Sequence, residues 1–157
     1  VLTYLTPGLR FFHQGQLEGS RQRISPHLVR GPEEAANPEL QGFYEKLLAV
    51  LRRPAVRQGQ WRLLECMPAW EENWTWDCFI AFAWRGGEEE ERLAVGVNYA
   101  PHASQCYLRL PFDLADGERR LQDLFSNERY NRRGEELRAR GLYLDVPGWS
   151  YFAFKLQ

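Results

Sequence analysis

The sequence predicts a mainly β chain: an antiparallel Greek-key β-sandwich over the C-terminal two-thirds, preceded by an extended N-terminal arm and one amphipathic α-helix. Three observations carry this. Seven short runs with strand composition lie between about residue 58 and the end. Turn and loop signals separate them every 8 to 20 residues, the spacing of a sandwich of about seven or eight strands. Between residues 38 and 53, by contrast, the apolar residues recur at helical intervals.

The elements follow in order. Pro7-Gly8 is a turn pair, and Leu9-Arg10-Phe11-Phe12 behind it reads as a short strand with no earlier partner in the chain. Gly15 and Gly19 then frame a polar loop carrying Gln14, Gln16 and Glu18. The stretch "EGSRQRISPHLVRGPEEAAN" has no periodicity and reads as an extended connection, longer than most loops in a compact domain. Asn37 is placed to cap a helix, with Pro38 at its first position and Glu39 at the positive end of the dipole. Leu40, Phe43, Tyr44, Leu47, Leu48 and Leu51 form one apolar face, Arg52 and Arg53 fill the last turn, and Pro54 ends it. Such a face must pack on something. The predicted strands are "QWRLLEC", "CFIAFAW", "RLAVGVNYA", "QCYLRLPF", "RLQDLF", "LYLDV" and "SYFAFKL". In the last, Phe152, Phe154 and Leu156 oppose Tyr151, Ala153 and Lys155, as in a strand with one buried face. The segment "GEEEER" (87–92) reads as a solvated hairpin tip.

Bulk properties exclude several function classes. A chain of 157 residues is long enough to bury a core without a metal or disulfide staple. Twenty basic residues against 21 acidic ones leave a formal charge of −1, which argues against a nucleic-acid partner. There is no apolar run long enough to span a membrane and no visible leader. Cys66, Cys78 and Cys106, odd in number and without CxxC spacing, read as inert reduced thiols of a cytoplasmic protein. The first residue is Val1 rather than Met, so a piece of a longer chain is expected. Asn73-Trp74-Thr75 matches a glycosylation sequon and, without a secretion signal, reads as a chance match.

Motifs for catalysis are wanting. His13, His27 and His102 are far apart, with no HExxH or CxxC spacing, so neither a metal nor a cofactor is expected. No phosphate loop, dinucleotide fingerprint or nucleophile elbow occurs. Glu33-Glu34, Glu71-Glu72 and Glu88 to Glu91 fall in loop sequence, where solvated charge is the expected state; Glu65 falls within a predicted strand and Asp77 opens one. The unusual feature is aromatic: six Trp, seven Tyr and nine Phe. Trp70, Trp74 and Trp76 sit together in "PAWEENWTW" beside Glu71, Glu72 and Asn73. They could hold a glycan by stacking and hydrogen bonds, or cap the open end of the sandwich.

The order of elements resembles the α-amylase superfamily of glycoside hydrolases. "TPGLRFFHQGQLEG" is similar to that family's eighth barrel strand and the loop after it, and "FYEKLLAVLR" to its eighth helix. "LQDLFSNERY" and "LYLDVPGWSYFAFKL" are similar to the end of its C-terminal β-sandwich. One departure is that Gly15-Gln16-Leu17-Glu18-Gly19 places Glu one position later than the usual Gly-x-Glu-x-Gly.

The resemblance implies that residues 1–57 are a remnant of a catalytic (β/α)8 barrel and that 58–157 are the C-terminal sandwich domain. The family's three catalytic carboxylates, on its fourth, fifth and seventh barrel strands, would all precede Val1, so this piece is expected to be inactive by itself. Its expected role is to shield and stabilise the barrel of an enzyme acting on α-linked glucans. A glucan-binding module and a protein-interaction domain are the alternatives. Gln16 and Glu18 would line or support the parent's sugar cleft, or else fix their loop by backbone hydrogen bonds. With the barrel missing, the helix must fold against the sandwich or find another chain. A dimer or swapped oligomer is expected, with "LRFFH" as the adhesive arm.

Overall fold

The computed structural model describes residues 1–157 apart from 23, 24, 26, 28, 29, 32 and 87–89. Two antiparallel sheets and a helical layer make up the chain. The larger sheet has six strands in the order β1 (Gln60–Leu63), β3 (Phe79–Gly86), β4 (Glu91–Asn98), β9 (Tyr151–Leu156), β6 (Glu118–Asp123), β7 (Arg129–Arg133). The smaller has β2 (Cys66–Met67), β5 (Ser104–Leu108) and β8 (Leu142–Val146) in the order β2-β5-β8. The sandwich is therefore observed, with nine strands among the described residues where seven or eight are expected.

Two differences account for that count. The predicted strand 60–66 divides, because the chain leaves the larger sheet after Leu63 and joins the smaller at Cys66, which pairs with Leu108. Strand β7 escapes the sequence reading because Arg-Tyr-Asn-Arg-Arg has no apolar alternation. It is an edge strand held by its ladder to β6, and its charges protect that edge. A short helix α4 (Gly134–Ala139), also unpredicted, follows it.

The helix α2 spans Pro38–Leu51, and the Asn37 side chain accepts the N–H groups of Glu39 and Leu40, as an N-cap does. It ends one to two residues early. Arg52 is the C-cap, and Pro54, expected only to stop the helix, also opens a second one, α3 (Pro54–Gln58). The buried face centres on Leu47 and Val50, with Phe43, Tyr44 and Leu51 beside them. It finds its cover within the chain: with Leu5, Ala55 and Val56 it packs on Phe82, Trp84, Leu93, Val95 and Ala153 of the larger sheet. The helix α1 (Leu2–Leu5) joins this layer, and Trp84 Nε1 donates to the Leu5 carbonyl at 2.7 Å.

The central strands of the larger sheet, β3, β4 and β9, are thus covered on both faces, unlike the one-sided pattern read from "SYFAFKL". Their helix-facing residues alternate along the strands with Phe79, Ala81, Ala83, Ala94, Phe152 and Phe154, which face the smaller sheet across a second core. Gly96 lies opposite Phe152, where a Cβ would come within 2.3 Å of the Phe ring. Glycine there is a packing requirement.

Leu9–Phe12 is no strand. Among the described residues no strand pairs with it, and the segment is held instead by side chains: Phe12 stacks on Tyr4 at 4.4 Å, and Arg10 Nε donates to the Tyr4 carbonyl at 2.7 Å. In the following connection, Glu34 accepts the N–H groups of Arg21 and Gln22, both at 2.9 Å, and these bonds hold its carboxyl below the ordinary range. The expected hairpin tip lies partly outside the described residues. Glu91, however, is buried, with Arg53 Nε donating to its Oε1 at 2.6 Å. A residue read as solvated is therefore the anchor that ties the α2–α3 junction to β4.

Candidate functional site

The two predicted sites occupy different places. In the loop after the arm, Gln16 uses both ends of its amide. Oε1 accepts the His13 N–H at 3.3 Å, while Nε2 donates to the Tyr44 hydroxyl at 2.8 Å and also to that of Tyr4. It fastens the loop to α1 and α2. Glu18 is exposed, and its backbone carbonyl accepts the Asn37 N–H at 2.8 Å. The Gln16 amide is turned to the two tyrosines.

The tryptophan group is divided by the fold. Asn73 is buried, accepting the Ala69 N–H at 3.2 Å and donating to Thr75 Oγ1 at 2.9 Å. Thr75 Oγ1 in turn accepts the N–H of Gln105 on β5 at 3.0 Å. This linkage fixes the turn, after which a 3₁₀ turn (Thr75–Cys78) leads into β3. Trp76 packs against the core between the sheets. Trp70 and Trp74 point outward, 53% and 65% exposed.

Three residues that sequence reading missed lie in this turn's neighbouring loops. His102 lies edge-on to Trp74 at 5.2 Å. Tyr99 and Trp149, 61% and 57% exposed, meet at 5.3 Å with an interplanar angle of 85°. Their loops are joined: Tyr99 N–H donates to the Cys78 carbonyl at 2.8 Å, and Trp149 N–H to that of Ala100 at 2.9 Å. The wholly buried Asn98 underlies both, its Nδ2 donating to the carbonyls of His102 and Pro147, each at 2.9 Å. A polar residue closing the apolar run "LAVGV" was the available sequence signal.

Several carboxylates hold the fold in place. Asp123 accepts four hydrogen bonds, from Ala153, Phe125 and Ser126 backbone N–H groups and the Ser126 hydroxyl. Glu65, which lies between β1 and β2 rather than within a strand, pairs with Arg109 at 3.3 Å. Asp77 falls in the 3₁₀ turn rather than at a strand start, and Asp116 pairs with Arg138. Among the described residues no group of three or more His, Cys, Asp or Glu could hold a metal. All three cysteines are free; a hydrogen bond to Cys66, with burial, pushes the Cys106 thiol up, and the same bond lowers that of Cys66.

No protein-family model and no curated protein matches this chain. Solved structures do. The α-amylase of Geobacillus thermoleovorans, solved in complex with acarbose, matches with a TM-score of 0.67 and 18% identity, over 99% of this chain and 31% of its own. The chain has the fold of part of an α-amylase. An Anoxybacillus α-amylase matches over the same shares with a TM-score of 0.63 and 19% identity. The chain thus spans under a third of the length of the solved α-amylases it matches.

Proposed function

We propose that this chain is a non-catalytic C-terminal domain of a larger α-amylase-like enzyme acting on α-linked glucans, where it shields and stabilises the catalytic barrel. The observation that carries this reading is the asymmetry of the match, with 99% of this chain answering to 31% of an α-amylase. The apolar surface supports it. Leu9 and Phe11 of the arm are 95% and 71% exposed. Leu63 and Ile80 are also exposed, on the helix-covered side of the larger sheet. At about 25 cal/mol per Å2, covering such side chains stabilises a packed partner. Within the parent, Gln16 and Glu18 would line or support the sugar cleft. The three free thiols support a reducing, cytoplasmic setting.

Two assays on the purified chain test the proposal together. Incubated with maltoheptaose or soluble starch, it should release no reducing ends. Light scattering at micromolar concentration should show a dimer or swapped oligomer that Leu9→Ser with Phe11→Ser returns to monomer. Hydrolysis proportional to protein concentration would overturn the non-catalytic reading. A monomeric wild type would remove the arm as an adhesive surface.

A further inference from the structure

We propose that the end of the sandwich formed by residues 73–78, 99–104 and 147–150 is a stacking platform for neutral α-glucan, with Tyr99 and Trp149 as its principal contacts and Trp74 with His102 beside them. The choice of glucan rests on the preceding reading of the parent enzyme; the platform itself rests on three features of these loops.

The first is backbone conformation. Trp149 has φ = +57°, in the left-handed region that a bulky side chain rarely adopts. The surroundings hold it there. Gly148 packs so closely on Pro101 and His102 that a Cβ would fall within 2.7 Å of their backbone, and the Ser150 carbonyl accepts the Asn98 N–H at 2.9 Å. Strain is thus maintained in order to present an indole outward, where it gains little from burial.

The second is rigidity. Asn98 ties the carbonyls of His102 and Pro147 together from beneath, so both aromatic loops rest on the ends of β4 and β9. A site on fixed supports loses little ordering entropy when a ligand binds. The near-perpendicular rings of Tyr99 and Trp149 form a corner, able to stack on one face of a pyranose and close on its edge.

The third is chemical composition. These three loops carry Trp, Tyr, His, Ser, Thr and Asn with a single carboxylate, Asp77, and neither Lys nor Arg. A polyanion would find no cation there, which sets aside nucleic acid and an anionic membrane surface. The Asn, Thr and Ser side chains of these loops are engaged in internal hydrogen bonds, so the match to a polyol with apolar C–H faces rests on the aromatic faces and the imidazole beside them. His102 Nδ1 is near the Ala103 carbonyl and Ser104 Oγ, and its Nε2 has no protein partner among the described residues, free to meet a hydroxyl.

The test is a titration of the full chain with maltoheptaose, followed by tryptophan fluorescence and calorimetry, with cellohexaose as the stereochemical control. Saturable binding with a Kd of roughly 0.1–1 mM is expected for maltoheptaose. Tyr99→Ala and Trp149→Gly, the latter keeping a residue suited to φ = +57°, should each weaken it about tenfold or more, and Trp70→Ala should leave it unchanged. Unfolding transitions matching wild type would establish that the variants are folded. No binding by wild type at ~10 mM sugar would overturn the platform. So would equal affinity in a folded Tyr99→Ala, Trp149→Gly double variant, or self-association abolished by those substitutions without sugar binding. The first two outcomes leave the barrel-stabilising reading standing, since that is judged by hydrolysis and by the arm.

Discussion

Asp123→Ala is expected to destabilise the chain by about 3 kcal/mol, lowering Tm by roughly 6–12 °C for a domain of this size. Asp123 is buried at the end of β6. Its Oδ1 accepts the N–H of Phe125 at 3.2 Å and of Ala153 at 3.1 Å, the second on the neighbouring strand β9. Its Oδ2 accepts the Ser126 N–H at 3.3 Å and the Ser126 hydroxyl at 2.8 Å. One carboxylate thus shapes the β6–β7 turn and pins it to the centre of the sheet. Alanine strands buried donors, whose desolvation is the larger part of the cost. Asp123→Asn should cost about half as much, because one oxygen can still serve Phe125 and Ala153 while the amide nitrogen faces the Ser126 donors. Urea unfolding with an unchanged m-value is the readout. A loss below about 1 kcal/mol for the alanine variant would mean that water replaces the carboxylate.

The second large effect is expected at Arg53. Arg53→Ala removes the guanidinium from Glu91 and leaves a carboxylate whose side chain is only 6% exposed, with Lys155 Nζ at 3.9 Å as its remaining counter-charge. Breaking a buried pair from one side costs about 3–5 kcal/mol; the 28% exposure of Arg53 and the nearby Lys155 reduce this to about 2–3 kcal/mol. Replacing both partners, Arg53→Met with Glu91→Leu, should recover most of the loss, since no charge is then left buried. Equal destabilisation by the single and double replacements would show instead that the stranded Glu91 charge is not the source of the loss.

The contrast between Glu91 and the helix α2 shows where the sequence was legible. Apolar spacing from Leu40 to Leu51 and the Asn37-Pro38 start identified α2 because cap and periodicity are local properties. Glu91 was misread because its partner lies 38 residues away, in a helical layer whose position no local pattern records. The arm was misread for the converse reason. Leu9–Phe12 has strand composition, but a strand is a relation between two segments, and the second is not beside it. Strand β7 was missed because it is held by backbone pairing at an edge. The aromatic end of the sandwich divides in the same way: Trp74 was found in a dense local cluster, whereas Tyr99 and Trp149 are fifty residues apart and meet only because β4 and β9 are neighbours.

The central claim, that this chain works as the β-domain of a longer α-amylase-like enzyme, is tested most directly by the size of the polypeptide that carries the sequence. An antibody raised against the purified chain, with mass spectrometry of the band it detects in source cells, supplies the measurement. A polypeptide about three times as long as this chain is expected, the inverse of the 31% share of the solved α-amylases, with starch-degrading activity co-purifying with the band. A polypeptide of only these 157 residues, free of that activity, would contradict the claim.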